Sequence, residues 1–224
     1  MQLLDLIAPP VCALCNGCGI SPVCLPCLAG LPLVMGAVCE RCGSAAPDVP
    51  EHTVVRNCLE CRDRRLGFER ARAALHYQDD TPRLVHALKD GGMRGLADHA
   101  AGLMVMVLER PAVDTITWVP PDRYRLIRRG YHPPQLLAVE LGRRWSLPVS
   151  ELLCQRGRRP PQRGLDLRSR RANVRESFRA IAPAPPSVLL VDDVHTTGAT
   201  LEACAHALRR AGAGRVEAAT LARA

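Results

Sequence analysis

Residues 188–200, VLLVDDVHTTGAT, constrain the fold of this chain more than any other stretch. The four aliphatic residues 188–191 are typical of a central parallel strand that is buried on both faces. A turn of hydroxyl-bearing and small residues follows, and residues 201–212 then have apolar side chains at helical spacing and a glycine as the stop. The stretch therefore predicts a strand, a polar turn and a helix, in that order.

Two adjacent carboxylates, Asp192 and Asp193, lie between the predicted strand and the turn. In a parallel α/β sheet, ligands bind at the carboxyl ends of strands, where the next helix offers unpaired amides to an anion. The turn is therefore predicted to hold a phosphate. Two negative charges beside a phosphate would be unfavourable unless they faced something else, and sugar hydroxyls or a divalent cation fit that requirement.

Cysteines dominate the first part of the chain: nine of the eleven lie within the first 61 residues, and eight of them form C-x-x-C pairs. Two such pairs supply the four thiolates of a tetrahedral Zn²⁺ site, so four pairs predict two sites. We expect successive pairs to combine, with interleaved pairing as the alternative. The pairs are Cys12/Cys15, Cys24/Cys27, Cys39/Cys42 and Cys58/Cys61.

Other interpretations of the cysteines stay open from the sequence. Cys18 lies three residues after Cys15 and could replace it as a ligand. Some pairs could instead be redox-active or free core thiols. The regular pairs in a chain without a secretory signal favour zinc over disulfides, and a site with four cysteine ligands leaves no open position for catalysis.

From Arg70 onwards the pattern changes to strands that alternate with helices. This order predicts a parallel α/β fold with helices on both faces of the sheet. We expect a double zinc-ribbon module with a short N-terminal helix at 1–66 and an α/β domain at 67–224. The predicted strands are 71–77, 115–120, 149–153, 188–191 and 215–222, and the predicted helices are 81–92, 94–110, 134–146 and 201–212.

The formal net charge of +8 comes almost wholly from arginine, because Lys89 is the only lysine. Between residues 122 and 175 basic residues far outnumber acidic ones. A segment this basic favours polyanion binding, while for any single arginine a solvated surface position is the alternative. The first twelve residues lack a basic segment and a long apolar run, so we expect a cytoplasmic protein without membrane insertion. The arginines between residues 122 and 175 include Arg123, Arg125, Arg128, Arg129, Arg156, Arg158, Arg159, Arg163, Arg168, Arg170, Arg171 and Arg175.

The stretch VLLVDDVHTTGAT resembles the phosphoribosyl-pyrophosphate (PRPP) signature of type I phosphoribosyltransferases. With the C-x-x-C pairs before it, the whole chain resembles the ComF family, which includes GntX-type proteins and is linked to DNA uptake in competent bacteria. Further matching pieces are LLDLIAPPVC, YQDDTPRLVHALKDGG, VPPDRYRLIRRGYHPPQLLA and the segment from Arg158 to Phe178. Receiver domains also carry adjacent aspartates, but a phosphate turn does not follow them.

The resemblance implies a role for each motif. Asp192 and Asp193 would contact the ribose hydroxyls and orient hydrated Mg²⁺. The loop at Pro120 and Pro121 would hold pyrophosphate, Arg129 would contribute to PRPP binding, and residues 156–175 would form a mobile hood. The 5′-phosphate would be bound by Thr196, Thr197, Gly198, Ala199 and Thr200.

One part of the chain departs from the family pattern. The family usually has R-G-F-N-Q where this chain has Arg129-Gly130-Tyr131-His132-Pro133. Because this chain lacks the Asn-Gln amide pair, we expect the part of the acceptor pocket that the pair would form to be altered. His195, inside the signature, is expected to face solvent.

Two functions from different classes follow. The first is an enzyme that transfers phosphoribosyl from Mg²⁺·PRPP to an unknown acceptor. The second is a non-catalytic competence factor that binds single-stranded DNA, mostly by electrostatics because aromatic platforms are scarce. A competence helicase or another uptake protein is a candidate partner of either.

Overall fold

The computed structural model describes residues 11–17, 21–46, 49–50, 53–56, 58–155 and 177–224. Cys18 and the predicted hood at 156–175 lie outside these residues. The first ten residues, where the chain would begin the predicted N-terminal helix, lie outside them as well. The described elements are α1 (Leu25–Ala29), β1 (Arg70–His76), α2 (Thr81–Lys89), α3 (Leu96–Val107), β2 (Thr115–Trp118), α4 (Arg123–Arg129), α5 (Pro133–Trp145), β3 (Leu153–Gln155), β4 (Phe178–Ala180), β5 (Ser187–His195), α6 (Ala199–Arg210) and β6 (Arg215–Arg223).

Four strands form a parallel sheet in the order β1-β6-β5-β2. Trp118 pairs with Val191, so the chain that leaves β2 lies beside the residues that follow the apolar part of β5. From β5 the chain continues through α6 to β6, which is the neighbour of β5 on one side in the sheet, while β2 is its neighbour on the other side. Ligands of α/β sheets bind at such a point, where neighbouring connections run in opposite directions.

The two faces of the sheet bury different halves of β5, because successive side chains of a strand alternate. Leu189 and Val191 pack with α2, α3 and α5, and we call this side the α3 face. Val188 and Leu190 pack with α6, and we call that side the α6 face. The parallel α/β prediction is thus confirmed, and the continuous apolar run of β5 results from burial on both sides.

The helices begin where the sequence supplies suitable residues. Pro133 and Pro134 occupy the first turn of α5, where the missing N–H of proline costs no hydrogen bond. Asp122 caps α4, since its side chain accepts hydrogen bonds from the backbone N–H groups of Tyr124 and Arg125 at 3.0 and 3.2 Å.

The predicted strand at 149–153 is the main difference in the fold. Only Val149 pairs with the sheet, in a single bridge to Ile116. The backbone N–H of Leu152 donates to the hydroxyl of Thr117 instead of continuing the ladder, and the chain then forms an antiparallel hairpin of β3 and β4. The sequence did not predict α1, α4 or β4, which are all short. None of the helices in the described part of the chain is long and apolar enough to cross a bilayer.

Candidate functional site

The two aspartates of β5 point to opposite faces of the sheet. Asp193 continues the α3 face and forms an ion pair with Lys89 of α2, with 2.8 Å between Nζ and Oδ1. Asp192 continues the α6 face, where burial and the charge of Asp192 raise the pKa of the Cys204 thiol. The backbone N–H of Asp193 donates to Asp192 Oδ1 at 2.9 Å. Both residues lie at the carboxyl edge of the sheet and line one cavity there.

The charges around the acid pair favour a ligand that is cationic or that carries donating hydroxyl groups. Burial and the adjacent charge of Asp193 raise the pKa of Asp192 well above its usual value, and Lys89 opposes this shift. Two neighbouring carboxylates disfavour simultaneous ionisation. A divalent cation or donating hydroxyl groups would favour the ionised pair.

The turn between β5 and α6 has the geometry of an anion site, and we call its residues, Thr196 to Thr200, the phosphate turn. Gly198 has a φ of 73°, in the left-handed region that favours glycine. As the N-cap residue it has no side chain to cap the first amides of α6, so these amides can face an anion. Thr196 and Thr197 are exposed, and the hydroxyl of Thr197 accepts from the N–H of Ala199 at 3.4 Å.

A cavity of about 320 Å³ lies beside this turn. Six residues that the resemblance assigned to PRPP line it: Pro120, Pro121, Arg129, Asp192, Asp193 and Thr200. The other four residues of the turn, Thr196 to Ala199, are not among the residues that line the cavity. Arg129 also forms an ion pair with Asp90 at 2.9 Å, which anchors α4 to the end of α2.

Sequence reasoning missed Lys89. It lines the cavity, and its ammonium group is the direct partner of Asp193. Tyr131 holds this end of α2 in place, because its hydroxyl donates to the carbonyl oxygens of Leu88 and Lys89 at 2.9 and 3.2 Å. The available signal was compositional: this is the only lysine in an arginine-rich chain.

The departure from the family pattern has a structural role here. His132 Nε2 lies 2.6 Å from the carbonyl oxygen of Val119, at the end of β2. Burial lowers the pKa of His132, so the neutral imidazole donates this hydrogen bond. The histidine therefore fixes the loop that begins at Pro120 and forms part of the cavity wall.

The prediction that His195 faces solvent is wrong. The side chain is 4% exposed, with its ring 2.9 Å from Arg223 Nη1 and in an edge contact with Phe68. Burial and the positive charges of Arg223 and Arg64 lower the pKa of His195 to about 3, so the ring is neutral. It lies directly below the phosphate turn, because β5 extends further than the apolar run indicated.

Eight cysteines form two clusters in the successive pairing that the spacing favoured. The thiol sulfurs of Cys12, Cys15, Cys24 and Cys27 lie within 4.8 Å of one another and form the first cluster. The second cluster contains Cys39, Cys42, Cys58 and Cys61, and its four sulfurs also lie within 4.8 Å of one another.

The donor chemistry of both clusters fits Zn²⁺. The sulfurs of Cys15 and Cys24 lie 3.7 Å apart, and those of Cys39 and Cys61 lie 3.6 Å apart. A tetrahedron with Zn–S bonds of about 2.3 Å has edges of about 3.8 Å. Burial opposes ionisation of Cys39, but backbone N–H groups of Cys42 and Arg41 outweigh it and lower the pKa of the Cys39 thiol to about 7. Such a thiol is readily available as a thiolate ligand.

Comparison with known proteins defines the class first. Residues 170–224 match the family model described as phosphoribosyl transferase domain. The match contains β5, the phosphate turn, α6 and β6, which form the core of the site. The α/β part is therefore a phosphoribosyltransferase-like domain.

Two relatives then define the family. Competence protein F of Haemophilus influenzae is 27% identical over 198 residues, which cover 83% of this chain and 84% of that protein. DNA utilization protein YhgH of Salmonella typhi is 30% identical over 195 residues, which cover 81% of this chain and 82% of that protein. The chain belongs to the competence protein F and YhgH family, as the ComF resemblance indicated.

Among solved structures, an orotate phosphoribosyltransferase from Aeropyrum pernix is similar with 22% identity and a TM-score of 0.35, over 65% of this chain and 66% of that chain. A likeness at this level carries no argument about the site. The assignment rests on the sheet topology, the family model and the two relatives.

Proposed function

We propose that this protein binds Mg²⁺·PRPP and transfers its 5-phosphoribosyl group to an acceptor, in a process connected with the uptake or use of DNA. The observation that carries the proposal is that the acid pair, Thr200 at the end of the phosphate turn and a basic wall formed by Lys89, Arg125 and Arg129 line one cavity. The link to DNA comes from the names of the relatives, which refer to competence and DNA utilization.

Each part of the cavity suits one part of PRPP. The turn from Thr196 to Thr200 would bind the 5′-phosphate through backbone amides and threonine hydroxyls. Asp192 and Asp193 would accept hydrogen bonds from the ribose hydroxyls. Charge-assisted bonds of this kind are worth about 1.5–3 kcal/mol each.

The leaving group requires positive charge. Displacement of pyrophosphate at the anomeric carbon proceeds through a transition state in which the sugar becomes cationic and the leaving oxygens become more negative. Arg125 and Arg129 of α4 line the cavity near the loop at Pro120 and would stabilise the pyrophosphate. When bound, Mg²⁺ would supply further neutralisation of the diphosphate, with Asp192 and Asp193 as the residues that would hold its hydration shell.

The acceptor would enter opposite this charged wall. Gln155 and Phe178, the neighbouring ends of the β3–β4 hairpin, line the cavity and would offer a polar group and an apolar ring to a flat acceptor. Closure over the site would exclude water from the reaction.

The test is binding followed by exchange. Calorimetry with Mg²⁺·PRPP measures the first step, and isotope exchange between PRPP and pyrophosphate across a panel of bases measures the second. We expect binding that Asp192→Asn weakens at least tenfold, and exchange with at least one base. Binding without exchange for any base would support a non-catalytic PRPP sensor, and absence of binding would contradict the proposal.

A second candidate, single-stranded DNA binding, has one specific observation in its favour. Helix α4 exposes Tyr124 and Ile127 to 74% and 81%, and Tyr124 lies between the exposed residues Arg123 and Arg125 in the sequence. An exposed aromatic ring beside arginines is the combination on which single-stranded bases stack. Replacement of Arg123 and Tyr124 by alanine should weaken oligonucleotide binding and reduce the salt slope by about 0.7 for each phosphate that the protein no longer neutralises. An unchanged slope would exclude α4 from a DNA interface.

Zinc is part of the proposal as well. We propose that each cysteine cluster holds one structural Zn²⁺, and that residues 1–66 form a module distinct from the domain at 67–224. Four thiolates per ion leave no position for a reacting group, so the role of the metal would be to fix the fold.

A further inference from the structure

The segment that follows the second cluster, from Arg64 to Gly67, contacts the phosphate turn directly. Arg64 Nη1 donates to the carbonyl oxygen of Thr197 at 2.8 Å, and its Nη2 donates to Glu202 at 2.9 Å. The Arg64 side chain is 33% exposed and that of Glu202 is 12% exposed. One guanidinium group thus joins the turn to the first turn of α6.

The backbone of this segment is packed closely against α6. A Cβ atom on Gly67 would lie 2.9 Å from the backbone nitrogen of His206 and 3.0 Å from the carbonyl oxygen of Glu202. Arg209 donates to the carbonyl oxygen of Gly67 at 3.2 Å. The segment therefore cannot move away from α6 without breaking this packing and this hydrogen bond.

The second cluster fixes the other end of the segment. Arg41, between two cysteines of the cluster, donates to the carbonyl oxygens of Cys61 and Arg64 at 3.2 and 3.1 Å. The position of Arg64 therefore depends on the folded cluster.

A separate path leads from the same cluster to the same turn. Glu60, between Cys58 and Cys61, forms an ion pair with Arg223, whose side chain is 8% exposed. Arg223 contacts the buried ring of His195. A Cβ atom on Gly198 would lie 2.6 Å from His195 Nε2, so the ring supports the turn from below.

The first cluster has different neighbours. Cys12, Cys24 and Cys27 pack into the hydrophobic core of the α3 face. The nearby Ser21 hydroxyl lies 3.1 Å from His99 Nε2 of α3. The first cluster is therefore an internal control with the same ligand chemistry.

We propose that Arg64 is a positioning residue of the phosphate turn and that the second cluster is its anchor, so that a phosphate ester in the turn and an intact second cluster stabilise each other. The identity of the ligand rests on the proposed function, while the anchoring itself does not. Coupling between two sites is reciprocal, so each must protect the other by the same factor.

The anchoring is tested without a ligand. Amide hydrogen exchange of residues 196–202 is measured in the zinc-loaded full chain and in variants. We expect exchange about tenfold faster in Arg64→Gln and in Cys58→Ser, and unchanged in Cys24→Ser and in Arg62→Gln. Arg62 is the matched control, because it lies two residues away in an exposed ion pair with Asp63. Exchange at the turn that is the same in Arg64→Gln as in wild type would overturn the anchoring.

The reciprocal effect is tested with ribose 5-phosphate as the probe. Cysteine alkylation in the presence of a chelator, mapped by peptide mass spectrometry, should slow at least threefold for the second cluster and stay the same for the first. Arg64→Gln should remove this protection and weaken binding of the probe about tenfold, and Arg64→Lys should lie between the two. Equal alkylation with and without bound probe would overturn the coupling. If wild type binds neither ribose 5-phosphate nor PRPP, the proposed function and the coupling fail, while the exchange result still decides the anchoring.

Discussion

The two faces of the sheet carry the same kinds of parts and connect them differently. Each face has one cysteine cluster, and each receives one aspartate of β5. On the α3 face the cluster packs into a hydrophobic core, and Asp193 meets Lys89. On the α6 face the second cluster is hydrogen-bonded to the phosphate turn through Arg64. The cysteine composition of a cluster thus does not determine its role, because the neighbours of the cluster decide what it supports.

The largest expected effect separates the two clusters. Reduced, folded protein should contain about two zinc ions per chain, and Cys58→Ser and Cys24→Ser should each lose one of them. Both variants should retain the α/β domain, but Cys58→Ser should lose most PRPP affinity and Cys24→Ser should not. Metal analysis and calorimetry on the same samples measure this. Zero zinc in the folded wild type would remove the zinc assignment, and equal affinity in the two variants would remove the distinction between the faces.

The next effect concerns Asp192. Asp192→Asn should weaken Mg²⁺·PRPP binding, because a neutral amide accepts hydrogen bonds less strongly than a carboxylate. The raised pKa of Asp192 means that the folded state holds the proton more tightly than the unfolded state. Its contribution to stability therefore decreases as pH rises from the usual carboxyl pKa through the folded-state value, and the variant should be more stable than wild type at neutral pH.

Thermal unfolding of the free protein at several pH values checks this second part. The gain in stability of Asp192→Asn over wild type should increase with pH. Asp122→Asn, at the cap of α4, is the control without a place in β5. A variant that binds PRPP as tightly as wild type would remove the carboxylate from the site.

A smaller effect is expected from His195 on the α6 face. Its pKa falls from 6.5 to about 3 on folding, so the stability from the neutral ring is complete above pH 6.5 and decreases as pH falls towards 3. The slope should be about 1.4 kcal/mol per pH unit within this window. His195→Asn should flatten the slope in denaturant titrations. Parallel curves for wild type and His195→Asn would contradict the buried neutral ring.

The smallest effect tests the α3 face. Because Lys89 is the only lysine, reductive methylation with ¹³C labels it alone apart from the terminal amine. Its NMR signal should shift when Mg²⁺·PRPP replaces the contact with Asp193, and Lys89→Met should change affinity about threefold. A signal that does not respond to saturating ligand would separate Lys89 from the site.

Much of the α/β order followed from the sequence, since long apolar runs and amphipathic helices are local patterns. The boundaries of β1, α2, α5 and β6 agree with the expected ranges to within three residues. The short elements α4 and β4 were not predicted. A seven-residue helix that depends on its Asp122 cap and its contact with Asp90 leaves little periodicity to detect.

Local patterns were sufficient to predict the strand, the acid pair and the glycine turn of residues 188–200, and the pairs of cysteines that form each cluster. These features depend on spacing within a few residues and on the two-residue repeat of a strand. Long-range packing, by contrast, placed Lys89 beside Asp193, buried His195 under the turn and brought Arg64 to Thr197. These contacts join residues up to 133 positions apart in the chain, and no pattern along the sequence encodes such a distance. The packing of the second cluster against α6 decides where Arg64 and His195 lie, and the position of α2 on the sheet decides where Lys89 lies.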